Sequence, residues 1–493
     1  MAAIDREFVR RVSPIPHHGF GLSVDVYQPD LFALLTALEQ HGVSFGYLEV
    51  FQASTRALTE VRRRLPGALL EYHGEGLWVT QPDFLSRYPV EVEVLEAAEQ
   101  LRTLGSWWAN YEGAAKQMAG YSFGTYLPPL FTLAGADVTA ANIAWVQKRL
   151  DQLAPVASGT GPLILLETPP LTYFGFGDID MADFFRAVTD QVACGVVLDI
   201  GHLWTVYRYS ENYRQLPLER FLQDFLDRFP LERVVHVHAA GLAIHEQMQS
   251  RWEDSNPPDS LPRWIDTHGA PIPEVLFDML EQVLSHAGLS QIKGLALEVD
   301  TKAISEIVGE FQRFQNRFSR WMEAVTGTAE PGISSSSSPS HIPAMPAKVI
   351  GRDWRKALLL QQYRTYVQIV TGCAQPDASV LPSCWCEPEW LDFYRRTYLP
   401  NEILHWGGDL SAMFPDTCLA LKRAGVALED FVKFWFNEPR EFIDRYDFFH
   451  LKLNMFAAFV TEVLPEAVET VNREATTLRV GYEVACLQVS SDG

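Results

Sequence analysis

Residues 195–199 read GVVLD, and IGHLW follows at 200–204. The first five form a strand-sized, β-rich run that closes on an acidic residue, Asp199, with His202 just beyond it. The same format recurs on either side. Upstream lie Phe20–Val24, Phe45–Val50, Ala68–His73, Gly105–Ala109 and Leu163–Glu167; downstream lie Arg233–His238 and Gly294–Glu298. Between them run stretches of helical period: Asp30–Gln40, Glu91–Leu104, Ala140–Leu153, Met181–Val192, Leu218–Phe229 and Pro273–His286. A last one, Ala303–Glu323, follows the eighth run. Eight strands alternating with helices predict an α/β fold, a TIM-like (β/α)8 barrel. A doubly wound open sheet is the competing arrangement.

One break in composition interrupts the chain. Residues 326–346 read TGTAEPGISSSSSPSHIPAMP. A serine run flanked by Pro and Gly has too little apolar surface to bury, so it reads as a flexible linker. The expected division is a metal-binding barrel at 1–325, a Ser/Pro-rich linker at 326–347 and a smaller, mainly α-helical domain at 348–493. In the last part, Trp354–Thr371, Glu389–Leu399, Asp409–Ala424, Leu428–Phe436 and Phe449–Val471 have helical period, with a closing strand expected at Thr477–Val489.

Bulk composition excludes several classes. The hydrophobic share of 47% is ordinary for a globular chain. A formal net charge of −22 repels phosphate backbones and disfavours a nucleic-acid partner. No apolar run approaches the roughly 20 residues of a membrane span. Met1–Arg11 is polar, without the apolar core of a signal peptide, and six cysteines in 493 residues do not make a disulfide framework. A cytoplasmic location is expected.

In a barrel of this kind, functional residues sit at the C-terminal ends of strands. The second run ends at Glu49 and the third at His73, in EYHGEG. Glu112 lies just past the fourth, in WANYEG; Glu167 ends the fifth, in LILLETPP; Asp199 ends the sixth, with His202 beyond. The seventh ends in His236-Val-His238, and its loop carries Asp266-Thr-His268. Glu298 ends the eighth, with Asp300 next, in LALEVD. Imidazoles and carboxylates together suit Fe, Mn or Zn. Several carboxylates at one mouth would repel one another, and divalent cations remove that cost. A single acidic residue at a strand end is often only a helix cap or an ion-pair partner; the convergence of many is the signal. Glu49 reads as structural. His236 reads as a core histidine turned away from the ligand His238.

At these residues the chain resembles the DUF692 proteins, the multinuclear non-heme iron-dependent oxidative enzymes (MNIO). The matching pieces are GFGLSV, YLEVF, YHGEGL, YLPPLF, LLETPP, VVLDIGHLW, VHAAGL, IDTHGAPIPEVLFDML and LALEVD, in that order over most of residues 18–300. The resemblance implies a TIM-like barrel holding two or three irons, with Mn or Zn as alternatives. Carried over position by position, it implies His73, Glu112, Glu167, Asp199, His238, Asp266, His268 and Glu298 as ligands. His202 stands where the family has Asn and becomes a substitute ligand. Gly113 and Leu242 replace family histidines, with His245 near the second; Asp25 and Tyr27 stand where an early His is expected. These departures leave the number and identity of the metals open. The resemblance further implies use of O2 to oxidise a ribosomally made precursor peptide (RiPP biosynthesis), around a cysteine. A partner protein or a fused domain would present that peptide, and residues 348–493, with the aromatic segments WCEPEW and FVKFWF, are the candidate domain.

Two other classes compete. A xylose-isomerase-like barrel also places Glu, Asp and His at successive strand ends, with Asp199-Ile-Gly-His202 matching its turn, which would give a sugar isomerase or epimerase using Mn or Mg. A peptide-binding scaffold with a degenerate site is the non-catalytic reading. Cys373, Cys384 and Cys386 lie close together, but Cys-x-Cys is a poor zinc spacing and they read as ordinary thiols. Gly175-Phe-Gly177 reads as a loop, too weak for a nucleotide motif.

Overall fold

The computed structural model describes residues 3–86, 90–156, 159–210, 215–243, 265–266, 268–321, 352–372, 378–441 and 447–488. Eight parallel strands close a barrel: β1 (Gly19–Val24), β2 (Tyr47–Phe51), β3 (Leu69–Gly74), β4 (Trp108–Glu112), β5 (Leu163–Glu167), β6 (Gly195–Asp199), β7 (Val234–Ala239) and β8 (Gly294–Glu298). Each pairs with its sequence neighbours, and β1 pairs with β8 at Gly19–Gly294 through Ser23–Glu298. That last pairing excludes the open sheet.

β4 begins three residues later than the sequence pattern predicts. Gly105 is left-handed (φ +65°) and ends the helix Val90–Leu104, and the Ser106 N–H returns to Leu101 O. This helix-stop geometry uses up the first residues of the run. Glu112 is therefore the last residue of the strand, in register with Glu167. Among the described residues between strands, two helices escaped the period reading, Thr55–Arg64 and Ile200–Tyr209. Their N-caps are Ser54 and Asp199, whose side chains accept from Ala57 N and His202 N.

The polar N-terminal segment is an amphipathic helix, Ala3–Val12. Phe8 and Val12 are buried with Ile15, Tyr47, Trp108, Leu163, Leu165 and Val197, so the helix closes one end of the barrel. The ring of Tyr47 crosses the interior where β1 and β8 carry glycine. A Cβ on Gly21 would stand 2.4 Å from that ring, and one on Gly294 2.7 Å from its hydroxyl.

The linker at 326–347 falls outside the described residues. The C-terminal region is helical, as expected from its period. Its one expected strand, Thr477–Val489, is instead helical over its described residues, as the end of the helix Val468–Gln488. Val471 and Ala475, one turn apart, are buried, while Val480, Tyr482 and Val484 are exposed. With no sheet edge to join, the alternating residues follow the helix. This region packs on the barrel in one continuous core. Tyr363 Oη donates to Thr80 O and accepts from Leu130 N, Tyr366 Oη donates to Pro128 O, and Trp435 Nε1 donates to Ser122 O at 2.7 Å. The last anchors a hairpin, Ala115–Met118 with Tyr121–Leu127, that rises from the end of β4. The aromatics of FVKFWF and WCEPEW serve this packing: Phe431, Trp435 and Trp390 are buried rather than displayed.

Candidate metal centre

Inward-pointing residues at the C-terminal ends of the strands gather into three contiguous groups. Within each, the donor atoms lie within 4.8 Å of one another: Glu49, His236 and His238; Glu167, Asp199, His238 and Glu298; and His73, Glu112 and Glu167. Glu167 and His238 each belong to two groups, so they are the hinges of the cluster.

The carboxylates stand against imidazoles. His238 Nδ1 lies 3.0 Å from Glu167 Oε1 and 3.2 Å from Glu298 Oε1. His73 Nε2 is 3.3 Å from Glu167 Oε2, which also accepts from Asn110 Nδ2 at 2.6 Å. Burial alone would raise the Glu167 carboxyl, but His238 and His73 hold it well below the usual carboxylate range. Burial disfavours charge on His73, yet Glu167, Glu49 and Glu298 push it up to about 9. Burial and the neighbouring Glu167 push Glu112 well above its ordinary value, and its Oε2 is buried with no hydrogen-bond partner. Such crowding is costly without positive charge at the centre. This donor set, with an orphaned carboxylate oxygen, fits divalent cations.

The histidines are fixed by their second nitrogens. His238 Nε2 faces Glu49 Oε2 at 2.8 Å, so Nδ1 is turned to the cluster. His268 Nδ1 is tied to Asp300, and its Nε2 lies 3.2 Å from Glu298 Oε2. His202 Nδ1 donates to the Thr168 carbonyl. A carboxylate or carbonyl that holds one ring N–H selects the tautomer in which the other nitrogen is a ligand.

His73, Glu112, Glu167, Asp199, His238 and Glu298 thus converge. Asp199 both caps the helix Ile200–Tyr209 and reaches the cluster. His202 and His268 line the cavity above but stand outside the three groups. The side chain of Asp266, like His245, lies outside the described residues; the Asp266 backbone pairs with Leu242. One expectation needs correction. His236 does not turn away from His238: residues two apart on a strand share a face, and their rings are 4.3 Å apart inside the barrel. Glu49 is fully buried in that interior, accepting from Trp108 Nε1 and Ser23 Oγ as well as facing His238. The two-residue spacing of Glu49 from Tyr47, and of Asn110 from Glu112, was the signal that both point inward.

Above the cluster opens a cavity of about 470 Å³. Its floor includes His73, Glu112 and Glu298, and one wall comes from the C-terminal region: Tyr398, Glu402 and Trp406, at helical i, i+4, i+8 spacing. The helix turn Tyr394–Tyr398 is widened to π geometry. Pro400, four residues after Arg396, has no N–H to return to that carbonyl, and this accounts for the wide turn. The hairpin adds Lys116, which pairs with Glu75 at 2.5 Å and sits 4.4 Å from the Tyr126 ring centroid and 5.5 Å from that of Trp406. Nothing in the sequence marked this wall, because the helix comes from a distant part of the chain.

Residues 46–318 match the family model described as RiPP precursor modification enzyme MbnB/TglH/ChrH. A UPF0276 protein of Caulobacter vibrioides is 25% identical over 287 residues, 55% of this chain and 85% of that protein. A UPF0276 protein of Neisseria meningitidis serogroup B is 30% identical over 174 residues, 35% of this chain and 51% of that protein. Among solved structures, endonuclease IV from Thermus thermophilus aligns with a TM-score of 0.36 at 15% identity, covering 61% of this chain and 99% of that one.

Proposed function

Because the chain belongs to the MbnB/TglH/ChrH family of RiPP precursor modification enzymes, we propose that it is a di- or tri-iron oxidase that uses O2 to modify a precursor peptide at cysteine. The observation that carries this reading is the buried cluster centred on Glu167 and His238, opening into a cavity of peptide side-chain size. His73, Glu112, Glu167, Asp199, His238 and Glu298 would hold the metals, with His202, His268 and Asp266 as further ligands from the loops. Bound iron would supply a Lewis acid for a substrate thiolate and the electrons for O2 reduction.

The protein's own contribution is orientation and exclusion. The Glu49 carboxylate stands 2.8 Å from His238 Nε2 and Asp300 holds His268 Nδ1, so both rings are held in orientation from the side away from the cluster. Asn110 donates to Glu167 and fixes the carboxylate shared by two groups. Tyr398, Glu402 and Trp406 roof one side of the cavity, so the C-terminal region shapes the space a peptide enters. In this reading the region takes part in peptide recognition as a wall of the site.

The test is metal content of protein purified without a polyhistidine tag, by elemental analysis with Mössbauer or EPR spectroscopy, followed by O2 uptake with a cysteine-containing precursor peptide. Two or more irons per chain and thiol-dependent O2 consumption are expected. Less than one metal per chain would instead identify a scaffold. Manganese-dependent turnover of a ketose without O2 uptake would identify an isomerase.

A further inference from the structure

The chain between the barrel and the last helices is stitched to the loop that follows Glu167. Gly177 N donates to Ser383 O at 3.0 Å, and Trp385 N donates to Gly175 O at 2.7 Å. Phe176 and Cys384 form an isolated antiparallel bridge. Trp385 is the pin: its ring stacks on Phe131 with centroids 4.7 Å apart, and its Nε1 donates to Gly177 O at 3.1 Å. The glycines of Gly175-Phe-Gly177 exist for this ring, since a Cβ on Gly177 would stand 2.6 Å from it.

The chain bends at Trp385 and Cys386, just after the bridge at Cys384. Trp385 points into the barrel loop, and Cys384 and Cys386 project together on the other side, with their Sγ atoms 3.1 Å apart. A bend brings residues two apart closer than the roughly 6.6 Å of extended chain, toward the roughly 4.4–6.8 Å between Cα atoms that a disulfide accepts. Both cysteines are half-buried and flanked by exposed Ser383, Pro388 and Glu389, so a small reagent can reach them. The neighbouring thiol of Cys386 lowers the Cys384 pKa by hydrogen bonding, helped by the charge of Arg395, whose Nε is buried with no hydrogen-bond partner. The same hydrogen bond pushes Cys386 up, and burial pushes Cys194 and Cys418 up to about 12, so Cys384 is the first thiol of these to ionise.

We propose that Cys384 and Cys386 are a redox-active dithiol that closes into a Cys-Trp-Cys disulfide by exchange with a low-molecular-weight disulfide, locking the stitch between the C-terminal region and the loop after Glu167. The Cys384 thiolate attacks one sulfur of the reagent RSSR, forming a mixed disulfide and releasing one RS⁻. The Cys386 thiolate then attacks the Cys384 sulfur, closing the ring and releasing the second RS⁻. The protein loses two protons and two electrons; the reagent takes up both electrons and becomes two thiols. The loop that the ring would stiffen contributes Pro170 and Thr172 to the cavity wall, so the thiol state reaches the site without touching a metal.

The experiment uses the full chain as isolated, equilibrated anaerobically in glutathione buffers of graded poise, acid-quenched, alkylated and read by peptide mass spectrometry. The peptide holding both cysteines is expected to lose two hydrogens and escape alkylation, at a poise where Cys194 and Cys418 are still alkylated. Cys386→Ser should trap a glutathione adduct on Cys384, while Cys384→Ser should leave Cys386 alkylated. In the closed form the Gly177 and Trp385 amides should exchange hydrogen more slowly. Full alkylation of both cysteines in glutathione disulfide alone, closure through Cys373 instead, or an adduct pattern reversed between the two variants would overturn the assignment. Unchanged exchange at Gly177 and Trp385 would overturn the locking of the stitch.

Discussion

Two residues concentrate the chemistry of this site, Glu167 and His238, because each stands in two donor groups at once. Glu167→Ala is therefore expected to lose metal from both sides, with content falling at least ~10-fold by elemental analysis. Glu49→Gln leaves the six converging residues His73, Glu112, Glu167, Asp199, His238 and Glu298 in place but removes the charge that faces His238 Nε2. It should weaken metal binding or turnover by about 10–100-fold, with the secondary structure by circular dichroism unchanged. Glu402 carries a separate signature. Burial pushes its carboxyl up from 4.5 to about 7. A group that holds its proton more tightly when folded stabilises the protein below its ordinary pKa and loses that contribution as the pH rises through the folded value. Glu402→Gln should match the native protein near pH 4.5 and exceed it by about 2–3 kcal/mol above pH ~8, read by thermal or denaturant unfolding.

Among the elements, the N-terminal helix shows how a polar stretch becomes structural. Phe8 is 3% exposed, and the Arg233 guanidinium lies 4.5 Å from its ring centroid. Phe8→Ala should cost about 3–5 kcal/mol, the range for emptying a buried aromatic site, while leaving the distant strand ends in place. A drop in melting temperature with metal stoichiometry preserved would bear this out. The same end of the barrel explains Gly21. Its missing side chain admits the Tyr47 ring, so Gly21→Ala should overpack the interior by about 1–3 kcal/mol. Because Tyr47 Oη bonds His236, which packs on His238, this variant should also disturb the metal spectrum.

At the scale of the whole molecule, the C-terminal region is part of the barrel's architecture. Phe123, Phe131, Phe174 and Phe176 are buried in the core shared with Tyr363, Tyr366 and Trp435. A fragment ending at residue 321 would uncover this surface, and exposed apolar patches of that kind drive association. It is expected to aggregate on size-exclusion chromatography; a monomeric fragment with native melting behaviour would contradict this. Among the described residues, no helix is long and apolar enough to cross a membrane.

The order of strands and the acidic or imidazole residue at each strand end were legible in the chain, because alternating period and strand-end position are local properties of sequence. Glu167, Asp199 and Glu298 needed only that. Which residues share a face was equally legible, and the two-residue spacing of His236 and His238 carried it. Tertiary structure alone decided the rest. β4 started late because a left-handed glycine consumed its first residues, which put Glu112 on the strand itself. Glu49 became an orienting group only because closure of the barrel set β2 within reach of His238 on β7. The wall of Tyr398, Glu402 and Trp406 arose from packing between segments more than 200 residues apart. Contacts of that kind depend on how whole surfaces fit together, and no local pattern encodes them.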